Sequence, residues 1–187
     1  MHSAYFSSEW TEGIPFFSKV VDFFCFMKTA TITFQYLQTT AEQLSSAERQ
    51  LLDAAKEACS KAYAPYSEFR VGAAVMLDNG IIVAGNNQEN AAYPSGTCAE
   101  RCAIFYANAN YPDNAVSAIA IIAMDSDGCI TLSRVSPCGA CRQVLLETEN
   151  RYATPIRILL CGAKEVFIIE SARALLPLQF DAKNISV

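Results

Sequence analysis

Histidine is nearly absent from the chain: the single one, His2, stands at the N-terminus. A metal or catalytic centre in the body of the chain must therefore be built from cysteine and carboxylates, and His-based triads are out. Basic charge is scarce as well. Fourteen Lys and Arg against 19 Asp and Glu leave a net charge of -5, so no basic field exists to hold a phosphate backbone, and nucleic acid is not an expected partner. No apolar run is long enough to cross a bilayer: residues 14–27 are interrupted by Ser18, Lys19 and Asp22 and fall short of the roughly 20 residues a span needs. Glu9 and Glu12 precede that run with no Lys or Arg, and no small-residue cleavage site follows, so neither a membrane partner nor secretion is expected and the cytoplasm is the expected location.

What is present fits one folded domain. The 187 residues are 52% hydrophobic and 18% charged, enough to bury a sizeable core without covalent staples. Eight cysteines, at 25, 59, 98, 102, 129, 138, 141 and 161, read in such a chain as reduced thiols available for metal or redox chemistry rather than as a disulfide framework.

Seven of the 11 Phe residues fall within the first 34 positions. That shift sets off residues 1–43 as an N-terminal extension, partly disordered or holding a short amphipathic helix in which Phe16, Val20, Phe23, Phe24 and Met27 recur at helical spacing. Residues 1–26 are expected to be dispensable, with Met27 a candidate start of the functional chain. The main domain, 44–187, opens on a capping box at Ser45 and Glu48, followed by Leu51, Leu52, Ala55 and Cys59 on one helical face. Residues 69–77 and 81–84, joined by Asp78-Asn79-Gly80, predict a β-hairpin. Helix over 99–107, strand over 116–124, helix over 141–147, strands over 156–160 and 166–169, and a short helix over 172–176 follow. A hairpin followed by alternation predicts an α/β fold, a three-layer α/β/α sandwich around a five-stranded mixed sheet.

Two segments carry the chemistry: Thr97-Cys98-Ala99-Glu100-Arg101 and Ser136-Pro137-Cys138-Gly139-Ala140-Cys141-Arg142. Each lies where a loop enters a helix, and helix N-termini favour thiolate over thiol. Cys98, Cys138 and Cys141 can converge on one Zn²⁺, leaving a tetrahedral vertex open as catalytic rather than structural zinc requires. Glu100, two residues past Cys98, can reach that vertex without being a ligand, the placement needed to take and return protons. Alone, the Cys138-Cys141 pair reads more often as a structural half-site or a redox pair than as a catalytic element. Cys102, one turn beyond Cys98, is the alternative fourth ligand that would close the site, although a residue a full turn into a helix points along its core face. Cys25, Cys59, Cys129 and Cys161 read as small apolar residues.

These segments resemble the zinc-dependent cytidine deaminases, of the small homotetrameric free-nucleoside type. The similarity runs over residues 45–180 and includes Ala62-Tyr63-Ala64-Pro65-Tyr66-Ser67, Phe69-Arg70-Val71-Gly72-Ala73-Ala74 and Asn87-Gln88-Glu89-Asn90-Ala91. The resemblance implies a cytidine deaminase-like fold and hydrolysis of cytidine and deoxycytidine to uridine and deoxyuridine with release of ammonia, in pyrimidine salvage. It implies one Zn²⁺ per chain on Cys98, Cys138 and Cys141, with Glu100 as the proton shuttle. It further implies that Asn87 and Glu89 bind the ribose hydroxyls, that Phe69 packs on the pyrimidine, and that the Ala99 backbone N–H donates to the base carbonyl. Phe180 would complete the pocket of a neighbouring subunit in a homotetramer, although Asp181-Ala182-Lys183-Asn184 departs from the family's usual Gly-Pro continuation. Zn²⁺ with three thiolates carries a net charge of -1, and Arg101 is suited to offset it by donating to thiolate sulfur. Two other readings are a related zinc aminohydrolase acting on a cytosine-containing antibiotic of the blasticidin S type, and a non-catalytic, zinc-stabilised binding module.

Overall fold

The computed structural model describes residues 28–185. The chain divides into two units, Met1–Thr33 and Phe34–Val187. Of the first, residues 28–33 are described and carry neither helix nor strand; the helix expected over residues 14–27 lies outside the described residues. The second unit holds the α/β fold.

Its strands in chain order are β1 (Leu37–Thr39), β2 (Arg70–Leu77), β3 (Ile82–Asn86), β4 (Val116–Met124), β5 (Arg157–Cys161) and β6 (Val166–Ile169). Its α-helices are α1 (Ser46–Ser60), α2 (Ala99–Asn110) and α3 (Gly139–Tyr152). The sheet order is β1-β6-β5-β4-β2-β3. Only β4 and β5 pair in parallel; every other neighbouring pair is antiparallel. The mixed sheet is as expected, but among the described residues it has six strands rather than five. The additional strand is β1, drawn from the stretch assigned to the extension. Three residues are too short to show a periodicity, and β1 is extended because it pairs with β6, Leu37 opposite Ile168 and Thr39 opposite Val166. Beside it Tyr36 stacks on Phe167 with ring centroids 4.3 Å apart.

Alternate residues of each strand supply two separate cores, which makes the three layers. Ala73, Val75, Leu77, Ile119, Ile121, Ile158 and Leu160 pack against Ala103, Ile104 and Ala107 of α2 and Leu145 of α3. Ala74, Ala120, Ile122, Leu159 and Cys161 pack on the other face against Leu51, Leu52, Ala55 and Cys59 of α1. Strands buried on both faces read as continuous apolar runs, as β4 and β5 do. Helix α1 begins with the expected capping box: the Ser45 hydroxyl accepts from the Glu48 N–H, and the Glu48 carboxylate accepts from the Ser45 N–H at 2.9 Å. The segment expected as a short last helix, Ala172–Leu175, is 3₁₀ rather than α, and a further 3₁₀ turn, Ala182–Asn184, follows it.

Topology brings two helix N-termini together. β4 and β5 are parallel, so α3, which connects them, must run back along the sheet and start beyond the C-terminal end of β4. Helix α2 ends just before β4 begins and so also starts at that end. Close packing of α2 depends on Gly85 of β3, where a Cβ would stand 2.6 Å from the Ala103 nitrogen, 2.8 Å from the Cys102 Cβ and 2.9 Å from the Ala99 oxygen. Backbone cannot yield as a flexible side chain does. Gly85→Ala is therefore expected to cost about 1–3 kcal/mol, the usual range for overpacking. Urea unfolding showing no loss would contradict this close approach.

A second cost is expected at Glu149, a buried carboxylate near the C-terminus of α3. It accepts from the N–H groups of Ile156 and Ala172 at 3.1 and 2.7 Å and from the Ser171 hydroxyl at 2.6 Å, with Arg173 Nε 3.3 Å away. Glu149→Ala would leave two buried N–H groups without partners, at about 1–3 kcal/mol each. The melting temperature should fall accordingly; an unchanged value would show that water replaces the carboxylate.

Candidate metal and catalytic site

Cys98 and Cys138 are the N-cap residues of α2 and α3, both in extended conformation, and neither side chain caps its helix. Their sulfurs therefore remain available to other partners, although the Cys138 sulfur lies near the Ala140 and Cys141 N–H groups. Cys141 sits in the first turn of α3 and is fully buried. The three Sγ atoms all lie within 4.8 Å of one another, Cys98 to Cys138 at 3.8 Å and Cys138 to Cys141 at 3.5 Å. Tetrahedral zinc with Zn–S bonds of about 2.3 Å places sulfurs about 3.8 Å apart, so the set fits the ion. Cys102 is not part of it: its Cβ faces Gly85 of β3. The seven cysteines among the described residues are unpaired; Cys59 and Cys161 are buried, whereas Cys129, read as a small apolar residue, is exposed.

Charge around the sulfurs is also arranged for an ion. Burial pushes the Cys141 thiol far up, and the Glu100 charge adds to this. At Cys138 burial acts in the same direction, but the Cys141 and Ala140 N–H groups and the neighbouring thiols outweigh it, leaving the thiol below its ordinary range. Arg101 donates Nη2 to the Cys98 sulfur at 3.5 Å, a contact that raises the pKa of the guanidinium, while its buried Nε has no partner. A buried donor without an acceptor is costly, and thiolates carrying full charge beside it would relieve that cost.

Glu100 is in the first turn of α2 and 4% exposed. Burial raises its pKa, against the pull of its own N–H, the Cys141 thiol and Arg101. It lines a cavity of about 180 Å³ together with Val71, Asn87, Cys98, Ala99, Ser136 and Cys138. A neighbouring cavity of about 270 Å³ shares Asn87 and Cys98 and adds Glu89, Tyr93 and Arg101. Seven of the expected site residues, Asn87, Glu89, Cys98, Ala99, Glu100, Arg101 and Cys138, thus meet around two adjoining cavities. Val71 and Tyr93 are lining residues that the sequence reading did not single out, and nothing in their residue types announces it.

Asn87 and Glu89 also build the loop. The Asn87 amide clasps the start of β2, accepting from the Val71 N–H at 2.7 Å and donating to the Phe69 carbonyl at 3.0 Å. Glu89 accepts from the Tyr66 and Ser67 N–H groups and from the Ser67 hydroxyl, and the Ser67 contact first, then Tyr66, holds its carboxyl below the usual range. Phe69 is 39% exposed and lines neither cavity. Phe180 is 59% exposed and lines neither cavity; its carbonyl accepts from Gln143 Nε2 at 2.8 Å.

A mixed sheet that delivers two helix N-termini, three convergent thiols and one buried carboxylate defines a zinc-site α/β protein. Residues 45–154 match the model of the cytidine and deoxycytidylate deaminase zinc-binding region, and the chain belongs to this family. It is 45% identical over 100 residues to a cytidine deaminase of Sporosarcina psychrophila, covering 54% of this chain and 68% of that protein. A cytidine deaminase of Halalkalibacterium halodurans is 44% identical over 97 residues, 52% of this chain and 68% of that protein. Among solved structures, a cytidine deaminase from Burkholderia pseudomallei is similar with a TM-score of 0.59 and 39% identity over 71% of this chain and 98% of its own. One from Mycobacterium tuberculosis has a TM-score of 0.56 and 29% identity, covering 72% and 97%. Among the described residues no helix is long and apolar enough to cross a membrane.

Proposed function

We propose that the chain hydrolyses free cytidine and deoxycytidine to uridine and deoxyuridine, releasing ammonia. The observation that carries this is the buried Glu100 carboxylate in the same cavity as two of three convergent thiols, within a family defined by its zinc-binding region. Cys98, Cys138 and Cys141 would hold Zn²⁺, which supplies the Lewis acidity that makes water nucleophilic near neutral pH.

The chain's own groups do the rest. Glu100 takes the proton of the attacking water, delivers it to ring N3, and then passes a proton to the departing amino group, so that water and cytidine become uridine and ammonia. A carboxylate whose pKa burial has raised is a stronger base for taking the first proton than an exposed one. Arg101 keeps the thiolates from over-neutralising the metal by donating to Cys98. The Ala99 N–H is one of the first-turn donors of α2 that no helix carbonyl can reach, and it serves the base carbonyl. Asn87 retains a second amide hydrogen, and Glu89 retains lone pairs beyond those used on Tyr66 and Ser67, so both can reach ribose hydroxyls while holding the loop. Phe69 supplies a ring face for the pyrimidine.

The exposed Phe180 fits a role outside its own subunit, completing a neighbour's pocket in a homotetramer. Light scattering should report four chains per particle at micromolar concentration, and a fully active monomer would overturn that assignment. A panel of cytidine, deoxycytidine, cytosine and cytidine 5′-monophosphate tests the substrate class. Turnover of the two nucleosides and little of the others is expected. Preference for the monophosphate would place the substrate elsewhere in the family.

A further inference from the structure

Arg142 follows Cys141 directly, and neither metal binding nor substrate contact gives it a task. Its guanidinium donates in two directions: Nε to the Pro137 carbonyl at 2.9 Å and Nη1 to the Leu175 carbonyl at 3.2 Å. The Pro137 carbonyl belongs to the planar peptide unit whose nitrogen is that of Cys138, so this bond fixes the plane that leads into a metal-binding thiol. Leu175 closes the 3₁₀ turn that starts at Ala172, where the C-terminal tail begins. The next residue of α3, Gln143, holds the tail again at the Phe180 carbonyl. Two consecutive side chains of α3 thus grip both ends of residues 175–180, and only Arg142 also touches the metal-bearing turn.

We propose that Arg142 is a positioning residue that couples zinc loading to docking of the tail. With the fork in place, ordering the Cys138 turn orders the Leu175 carbonyl, and the reverse holds by linkage. Lysine offers one point charge and cannot span both carbonyls, so Arg142→Lys separates the two ends while keeping the charge. Residues that orient metal ligands commonly change metal affinity by about 10–100-fold, which sets the expected scale. The proposal rests on the zinc reading of the site and not on the identity of the substrate.

The test uses the zinc-loaded wild type, Arg142→Lys and Gln143→Leu, with zinc content measured first. Zinc transfer to a colorimetric chelator and hydrogen exchange at residues 175–180 are then followed. Arg142→Lys should release zinc about 10-fold faster or more and exchange faster over 175–180. Gln143→Leu should loosen the tail while its zinc release stays within about twofold of wild type. Stripping zinc from the wild type should itself accelerate exchange at 175–180, an effect the coupling requires and that can be read even if Arg142→Lys fails to fold. The coupling is overturned if tail exchange in the wild type ignores zinc. It is equally overturned if Arg142→Lys releases zinc at the wild-type rate, or if Gln143→Leu speeds release as much as Arg142→Lys. A wild type that binds no zinc would refute the zinc reading instead, so the two failures are distinguishable.

Discussion

Glu100→Gln is expected to lower cytidine turnover by about a thousandfold or more, with zinc content and melting temperature close to wild type. The amide matches the carboxylate in size and can still accept from the first-turn N–H of α2, so the packing of a side chain only 4% exposed is preserved. What is lost is the ability to carry a proton, which the reaction needs twice, once from water to ring nitrogen and once to the leaving amine. A single positioned acid or base typically contributes about 10²–10⁴ in rate, and one group serving both transfers belongs at the upper end. The change should fall on kcat rather than on KM, because the interaction is made in the transition state. Turnover within about tenfold of wild type would remove Glu100 from the proton path.

Cys141→Ala should abolish both zinc content and turnover, and it should destabilise the fold as well. Cys141 is the fully buried member of the thiol set, in the first turn of α3, so its loss opens the site from the inside. A ligand bound only by the native state at a thousand times its Kd contributes about 4 kcal/mol, and each kcal/mol is worth about 2–4 °C in a chain of this size. A fall of about 8–16 °C follows, and adding zinc should not recover it. The exposed Cys129 is the control: Cys129→Ser should stay within about 0.5 kcal/mol of wild type with full zinc content. If Cys129→Ser lost the metal and Cys141→Ala kept it, the assignment of the thiols would be wrong.

The site was legible in the sequence because its chemistry is local. Cys98 and Glu100 are two residues apart, Cys138 and Cys141 three, and each pair sits at a helix start whose geometry fixes where the side chains go. The capping box at Ser45 and Glu48 and the turn at Gly80, with its φ of 84°, are local in the same sense. β1 was not legible, since Leu37–Thr39 is a strand only by virtue of β6 lying 127 or more residues further along the chain. Glu149 gave no sign either: one Glu on an amphipathic helix looks like any other until the chain after the helix brings back the Ile156 N–H and, 23 positions on, the Ala172 N–H. Asn87 and Glu89 lie between these cases. Resemblance implied their contact with ribose, while their grip on Phe69, Val71, Tyr66 and Ser67 depends on how two loops meet. Arg142 was visible as a motif residue, yet its partner Leu175 stands 33 positions away.

The measurement that bears most directly on the central claim is a zinc titration of metal-free chain in the presence of cytidine, with ammonia and uridine both quantified. The account predicts that the two products appear one to one and that their rate rises in proportion to bound zinc until each chain holds one ion. Absence of ammonia from a chain carrying its full zinc, or undiminished ammonia release from a chain carrying none, would contradict it.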